Sequence, residues 1–259
     1  MTERWRSGDI ARMANRIGIV LAFALLLGEQ ARAGPPYLTD DPEPPPYGRY
    51  ELVFFTMGLE ANGVAAGALP AMEFNYGGFP DTQLHIELPV GFMSNDEGGR
   101  FGAADAELGV KYRFIEEDEA GWRPQVAIYP LVEIPLAPAS NGFASRGVDL
   151  FLPVWAQKDL DANWTIDAGG GYWINPGDRN YWFAGVLLQR KLSDALVLGA
   201  ELFHQTPNVQ GVPALTGLNI GATYDFNEHQ HLLVSAGRGI ANVTATDQFT
   251  WYLGFEFTN

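Results

Sequence analysis

The sequence predicts an all-β fold: a twelve-stranded antiparallel up-and-down transmembrane β-barrel, preceded by a cleaved signal peptide. Twelve stretches after residue 48 alternate apolar residues with small or polar ones, which is the two-residue period of a β-strand. The N-terminus has the layout of a secretion signal. Aromatic residues gather near the ends of the stretches, as they do in the girdles of outer-membrane barrels.

The first 33 residues predict the signal peptide. Its basic region carries Arg4, Arg6, Arg12 and Arg16. An apolar run follows over 17–27 and is too short for a membrane-spanning helix, which needs about 20 residues. Ala31-Arg32-Ala33 supplies the small residues of a cleavage site before Gly34. A retained membrane anchor is the alternative, but no second apolar run of this kind follows.

Composition limits the class of protein and of partner. The formal net charge is −15, and the signal peptide removes more arginine than acid, so the secreted part is more acidic still. Such a surface argues against a nucleic-acid partner. The chain has no cysteine and therefore needs no thiol chemistry. A hydrophobic content of 47% is too high for a disordered chain.

Residues 34–48 form a proline-rich lead ahead of the predicted strands. Six prolines in fifteen residues exclude a helix or a central strand there. Two interpretations remain open. The lead is either a loose periplasmic tail or an arm that enters the barrel from the periplasmic side and plugs it.

The barrel is predicted to occupy residues 49–259. Its strands are expected near 49–60, 69–77, 82–93, 103–115, 123–136, 147–158, 163–174, 180–191, 195–206, 215–226, 231–240 and 247–257. Most are long enough for a tilted strand to cross a bilayer, which takes about nine to eleven residues. Short connections such as 159–162 alternate with longer ones such as 94–102, 137–146 and 207–214, which is typical of periplasmic turns and external loops.

The apolar face of these strands is predicted to contact lipid. It carries almost no charge, as in Leu196, Leu198, Ala200 and Leu202. The final strand places Phe249, Trp251, Leu253, Phe255 and Phe257 on one face, a pattern that resembles the signal read by barrel-insertion machinery. Outer-membrane lipid and this machinery are therefore the expected partners, although Thr258 and Asn259 follow the last phenylalanine.

The opposite face is predicted to line the lumen. The candidate lining residues are Glu73, His85, Glu87, Glu107, Lys111, Arg113, Tyr129, Glu133, Trp155, Asp167, Glu201 and Tyr252; Asp105, Asp149, Asp225 and Glu256 share the face. Because acids outnumber bases, a wet channel should favour cations and neutral solutes over anions. Alternatively these groups pair with one another and close the lumen. Pairing of the third and fourth strands would bring Glu87 near Gly109 and diagonal to Lys111.

Prolines and glycines predict a weak seam in the wall. Pro130 and Pro135 fall in the fifth strand, Pro153 in the sixth, and Gly169, Gly170 and Gly171 in the seventh. Proline cannot donate to a strand ladder, and glycine permits a bulge. A lateral exit for a hydrophobic solute between the fifth and sixth strands is one interpretation. A bulge satisfied by its neighbours is the other.

Aromatic residues on the lumen face allow two interpretations as well. Tyr129, Phe151, Trp155, Trp173 and Tyr252 could stack against flat apolar solutes or simply fill a narrow interior.

Catalytic and metal signals are weak. Ser94 and His204 share a face but belong to distant strands, so an outer-membrane lipid hydrolase is only a third option. His229 and His231 flank Gln230 without a third ligand, so neither a metal nor a cofactor is expected.

Several segments together resemble a bacterial family. These are Gly109-Val-Lys-Tyr-Arg-Phe114, Trp122-Arg-Pro-Gln125, Phe151-Leu-Pro-Val-Trp155, Gly169-Gly-Gly-Tyr-Trp-Ile-Asn-Pro-Gly177, Glu201-Leu-Phe-His-Gln205, Ser235-Ala-Gly-Arg-Gly239 and Tyr37-Leu-Thr-Asp-Asp-Pro42. They are similar to the outer-membrane family labelled "putative MetA-pathway of phenol degradation". The resemblance implies an outer-membrane barrel, often described as a transporter, and implies no particular functional residues.

The expected function is a non-enzymatic outer-membrane channel or transporter for passive uptake of small hydrophobic or aromatic molecules. A closed structural or adhesion barrel without transport is the alternative. The sequence gives neither the solute nor the oligomeric state.

Overall fold

The computed structural model describes residues 35–118 and 121–259, so the predicted signal peptide and Gly34 lie outside the described residues. The strand segments are β1 (Tyr50–Ala61), β2 (Val64–Phe79), β3 (Thr82–Asn95), β4 (Gly98–Ala103), β5 (Asp105–Ile115), β6 (Gln125–Ile128), β7 (Leu131–Pro135), β8 (Asp149–Asp159), β9 (Trp164–Ile174), β10 (Tyr181–Ser193), β11 (Leu196–Gln205), β12 (Leu215–Asn227), β13 (Gln230–Ala241) and β14 (Phe249–Thr258). A 3-10 turn covers Ala139–Asn141. Within the two described ranges, no helix has the length and hydropathy to span a bilayer.

The sheet closes on itself as a barrel of twelve antiparallel strands. Each strand pairs with its neighbour in sequence, and β1 pairs with β14 from Glu51–Thr258 to Glu60–Phe249. Segments β4 and β5 are two parts of one strand, interrupted at Ala104, and both pair with β3. Segments β6 and β7 form another, interrupted at Tyr129 and Pro130, and both pair with β5 and β8. The predicted fold class and strand number are confirmed.

The two faces of the wall are inverted relative to a water-soluble protein. Large apolar side chains such as Leu202 and Leu218 are exposed on the outside, whereas Asp149, Asp167 and Glu201 are 0% exposed inside. In water, exposed apolar side chains of this kind would be unfavourable. In hydrocarbon, an outer face of carboxylates would be unfavourable instead. The apolar face of each strand therefore faces lipid, as the alternation predicts.

The barrel has two different ends. The connections that follow β2, β10 and β12 are two-residue turns, and we call the end that contains them the short-turn end. The other end carries longer loops over 136–148, 206–214 and 242–248, and we call it the long-loop end. In outer-membrane barrels the short turns face the periplasm and the longer loops face outside.

Two hairpins at the long-loop end are tighter than the sequence predicts. The predicted loop over 94–102 is wrong, because β3 and β4 continue the ladder around a turn at Asp96 and Glu97. Strand β2 begins at Val64 rather than near residue 69. Asn62 and Gly63, with φ of 54° and 74°, form the two-residue turn before it, and positive φ at both positions is typical of hairpin turns.

The wall around Pro130 is interrupted over a short distance only. Segment β6 pairs with β8 from Gln125–Gln157 to Ile128–Val154, and the Tyr129 N–H donates to the Pro153 carbonyl at 3.3 Å. Strand β8 pairs with β9 throughout, including Pro153 with Gly171. The pairing of β7 with β8 spans three residue pairs, as does that of β5 with β6. A lateral seam stays a prediction, and its extent is limited to this short segment; Pro135, Gly169 and Gly170 lie in paired strand.

One side of the interior is filled by aromatic residues from β8 to β11. Phe151 stacks on Trp173 with ring centroids 4.7 Å apart, and Trp173 stacks on Tyr181 at 5.8 Å. The cluster comprises Tyr129, Leu131, Phe151, Trp155, Trp173, Tyr181, Phe183 and Phe203. Four of the five predicted aromatics therefore lie in this packed core, and Tyr252 belongs to a second cluster with Phe55.

Candidate functional site

The proline-rich segment lies inside the barrel. We call residues 35–48 the luminal lead. Near the short-turn end, the Gly48 N–H donates to the Gly77 carbonyl at 2.8 Å, so the lead enters the lumen beside β2. Further along, the Ser235 hydroxyl donates to the Pro36 carbonyl at 2.6 Å. The lead therefore reaches from the short-turn end to the middle of the lumen.

Glu201 anchors the inner end of the lead. Its Oε1 accepts the backbone N–H groups of Leu38 at 2.9 Å and Thr39 at 2.5 Å. Its Oε2 accepts the Asn219 amide at 2.7 Å. A buried carboxylate needs donors of this kind, and the exposed N–H groups of an extended segment supply them.

Lys111 anchors the middle of the lead. Its Nζ lies 3.0 Å from Asp40 Oδ1 and 3.6 Å from Asp41 Oδ1, and it stands 4.9 Å from the centre of the Tyr129 ring. The predicted pairing with Glu87 is wrong because the register differs by two residues: Glu87 lies opposite Glu107, and His85 lies opposite Gly109. A partner from the lead could not be inferred from strand pairing.

Glycines in the wall make room for the lead. A Cβ at Gly199 would overlap the Tyr37 hydroxyl, and one at Gly185 would overlap the Thr39 hydroxyl. At Gly221, a Cβ would lie 2.9 Å from the Tyr37 ring. These strands approach the lead more closely than any side chain would permit.

An apolar pocket lies above the lead, toward the long-loop end. Its volume is about 60 Å³. Lead residues Pro35 to Leu38 form part of its lining, together with Phe55, Leu59, Phe203, Leu215, Trp251 and Tyr252 from the wall. Phe55 and Tyr252 stack with centroids 5.1 Å apart. A cavity of about 150 Å³ is known to hold benzene, so an aromatic ring needs more room than this pocket offers while the lead is in place.

An acidic cavity of about 190 Å³ lies below, toward the short-turn end. Asp40, Asp41, Glu43, Glu51, Glu73, Glu87, Glu107 and Glu256 line it, against the single lysine Lys111. Both cavities share Pro35, Glu73 and Glu87 in their linings, so the lead and these two carboxylates separate an apolar compartment from a polar one.

His85 belongs to a hydrogen-bond network on the wall of the acidic cavity. Its Nδ1 lies 2.7 Å from Asn75 Oδ1, and its Nε2 lies 3.0 Å from Glu107 Oε1. Asn75 Oδ1 also accepts from Gln83, and the Asn75 amide nitrogen donates to Glu73. Both ring nitrogens therefore have an oxygen partner in this network. His85, Glu87 and Glu107 also lie close enough together to hold a metal ion, although both nitrogens of the histidine already have partners in the network.

The structure divides the predicted lumen candidates into three groups. Glu73, His85, Glu87, Glu107, Lys111, Glu201 and Tyr252 line a cavity or contact the lead. Tyr129, Glu133, Trp155 and Asp167 are buried on the filled side or at its edges, although Tyr129 also reaches the acidic cavity. Arg113 binds Asp81 at 2.6 Å at the short-turn end and does not join these groups. Sequence patterns missed the lead residues Tyr37, Thr39 and Asp40 and the amides of Asn75 and Asn219.

A buried carboxyl group also closes the apolar pocket on the long-loop side. Asp247, in the loop before β14, is 1% exposed and lines the pocket. Burial raises its pKa to about 6, and the positive charge of Arg238 opposes that rise.

The sequence of the barrel matches one known protein family. Residues 49–254 match the sequence profile of the family described as "Putative MetA-pathway of phenol degradation". The chain belongs to this family. Its barrel, with an apolar outer face and a charged interior, is that of an outer-membrane protein. Among curated proteins, none matches the chain.

Family membership agrees with the solved structures that share the fold. An outer-membrane channel from Pseudomonas putida F1 is 17% identical, with a TM-score of 0.68 over 85% of this chain and 98% of that one. The NanC porin is 11% identical, with a TM-score of 0.58 over 80% and 98%. The KdgM porin is 8% identical, with a TM-score of 0.54 over 80% and 98%. At these identities the likeness concerns the fold.

The barrel of this family member does not form the serine–histidine pair of the lipid hydrolase option. Ser94 lies on β3 opposite Ala65 and Gly99, whereas His204 lies on β11. Five strands separate β3 from β11 around the barrel. His204 Nδ1 instead lies 2.8 Å from the Thr216 hydroxyl. At the short-turn end, His231 Nδ1 lies 2.6 Å from Asp225 Oδ1 and its Nε2 lies 3.3 Å from the Thr258 hydroxyl, so both of its ring nitrogens have partners.

Proposed function

We propose that this protein is a passive outer-membrane channel for small hydrophobic or aromatic molecules, and that the luminal lead controls passage. The observation that carries the proposal is the apolar pocket at the long-loop end, whose floor is the lead itself. A flat apolar solute that enters from outside would meet the rings of Phe55, Trp251 and Tyr252 in this pocket. Stacking and burial of apolar area favour such a solute over a sugar or an ion.

The charge of the acidic cavity adds a second basis for selectivity among solutes. Eight carboxylates against one lysine disfavour an anionic solute, whereas a neutral aromatic molecule meets no repulsion. Passage along the axis requires the lead to move, because it occupies the space between the two cavities. No energy source is implied, since the lead is held by one ion-pair cluster and a few hydrogen bonds.

The experiment is uptake of a radiolabelled neutral aromatic solute, such as toluene, by cells with and without the protein. Leu59→Trp fills the pocket from the inner face of β1, and Leu218→Trp places the same bulk on the lipid-facing side of β12. We expect the protein to raise uptake several-fold, Leu59→Trp to abolish the gain, and Leu218→Trp to retain it. Equal uptake with and without the protein would contradict the proposal.

A closed structural barrel is the competing function. The aromatic core from β8 to β11 favours it, because packed rings close one side of the lumen permanently. The two functions differ in what removal of the lead does: a channel opens, whereas a closed barrel stays silent.

A further inference from the structure

Three carboxylates from three neighbouring strand segments meet inside the barrel near the long-loop end. They are Asp105 of β5, Glu133 of β7 and Asp149 of β8. One oxygen of each lies within 4.8 Å of the oxygens of the other two, and the three side chains are 7%, 6% and 0% exposed. None of the three lines the apolar pocket or the acidic cavity described above.

The fold holds these groups in place. Glu133 lies directly opposite Asp149 in the β7–β8 ladder, so their side chains project from the same face. Asp105 lies opposite Pro135, two residues beyond Glu133 on β7. Both oxygens of Asp105 accept the Ser145 N–H, at 3.0 and 3.1 Å, which ties the 136–148 loop to the group.

Asp149 supplies the observation that points to a ligand. Neither of its carboxylate oxygens has a hydrogen-bond partner in residues 35–118 and 121–259, and no basic side chain of these ranges forms an ion pair with it. A buried carboxylate without a donor or a cation is strongly unfavourable, and two further carboxylates beside it add repulsion.

We propose that Asp105, Glu133 and Asp149 bind a divalent cation, calcium in preference to magnesium. Calcium takes six to eight oxygen ligands at about 2.3–2.6 Å, so oxygens across its coordination sphere are up to about 5 Å apart. Three oxygens that all lie within 4.8 Å of one another fit within that sphere. Magnesium requires a smaller and regular octahedron and retains most of its water, which a buried set of three carboxylates suits less well.

A bound calcium ion would join β5, β7 and β8 beside the short β7–β8 ladder. Segment β7 is five residues long and pairs with β8 over three residue pairs only. The ion would replace ladder hydrogen bonds as the link between these segments. This role is independent of the proposed transport, because the site lies outside both cavities of the transport route.

The test is calorimetric titration of CaCl₂ into the full mature protein, purified in a zwitterionic detergent and freed of metal with EGTA. The matched variants are Asp149→Asn and Asp167→Asn. Asp167 is also fully buried, but it belongs to β9 and accepts a hydrogen bond from Gln189. Amide exchange of β7 and β8 with and without CaCl₂ gives a second readout, and MgCl₂ tests the preference.

We expect one saturable calcium site, at least tenfold weaker binding in Asp149→Asn, unchanged binding in Asp167→Asn, and slower exchange of β7 when calcium is bound. Magnesium should bind more weakly than calcium. The proposal is overturned if the wild-type protein shows no saturable binding, or if both variants bind as it does, since the ion would then sit on the acidic surface. Heat-modified mobility on gels verifies that each variant is a folded barrel.

Discussion

Lys111 Nζ lies 3.0 Å from Asp40 Oδ1, and this buried pair joins the wall of the barrel to the lead inside it. The two residues are 71 positions apart in sequence. Removal of one partner of a buried ion pair leaves an uncompensated charge, which costs about 3–5 kcal/mol when it stays buried. The lead can escape that cost by leaving the lumen, whereas a barrel strand cannot.

Substitution of Lys111 by methionine should therefore open the channel. Methionine keeps the unbranched chain up to the ε position and removes the charged Nζ, so Asp40 loses its cation. We expect larger or more frequent single-channel openings in planar bilayers. Lys191→Met is the control, because Lys191 pairs with Asp194 on the exposed surface and such pairs contribute about 0–1 kcal/mol. If both variants conduct like the wild type, the ion pair does not hold the lead.

Glu201→Gln should loosen the inner end of the lead. The substitution removes the negative charge that accepts the N–H groups of Leu38 and Thr39, and hydrogen bonds to charged groups are worth about 1.5–3 kcal/mol. Hydrogen exchange at these two amides should accelerate about 10- to 100-fold, at about 1.4 kcal/mol for each factor of ten. Asp167→Asn, which removes a wall carboxylate that makes no hydrogen bond to the lead, should leave both rates unchanged. Equal acceleration in the two variants would show that lost charge alone is responsible.

Gly199→Ala should displace Tyr37 from its position against β11. The new Cβ would lie 2.7 Å from the Tyr37 Cζ and closer still to the hydroxyl. The backbone of β11 cannot move away, because it is hydrogen-bonded to a strand on each side. Chymotrypsin should then cut after Tyr37 faster than in the wild-type protein. Gly99→Ala is the control, since its Cβ would have no neighbour nearer than 3.8 Å. Unchanged cleavage in Gly199→Ala would mean that Tyr37 does not occupy this position.

The stability of the loop before β14 should depend on pH through Asp247. Its pKa is about 6 in the folded protein and near 4 in an unfolded chain, so the neutral carboxyl contributes stability below pH 4 that is lost as the pH rises through 6. Above that range Asp247→Asn should be more stable than the wild type by up to about 3 kcal/mol, and the difference should vanish near pH 4. Urea unfolding between pH 4 and 8 measures it, with the exposed Asp194→Asn as control. A difference that does not change with pH would contradict this assignment.

The number of strands and the side of the wall to which each side chain points could be predicted, because both depend on a local pattern in the sequence. Alternation of apolar and polar residues sets which side chains face lipid, and a slip of one residue would bury every charge in hydrocarbon. The β1–β2 hairpin could have been predicted more closely as well, since Asn62-Gly63 is a strong two-residue turn signal. The register of β3 and β5 could not, because a shift of two residues keeps both faces and changes only the partners: Glu87 meets Glu107 instead of Gly109.

The contents of the lumen could be predicted least well. Alternation shows that Glu201 and Lys111 point inward, but it does not reveal that Thr39 and Asp40, far away in sequence, supply their partners. Those contacts depend on the path of the proline-rich lead, which no periodic pattern encodes. The glycines at 185, 199 and 221 mark that path, since each lies where a side chain would collide with the lead.

Single-channel conductance of the protein with and without residues 35–41 tests most directly whether the barrel is a channel that its own lead closes. The lead separates the apolar pocket from the acidic cavity, and its removal would join the two into one continuous passage. We predict small or rare steps for the intact protein and large, persistent, cation-favouring steps for the shortened one. Silence of both proteins, with each folded in the bilayer, would contradict a channel and leave a closed barrel.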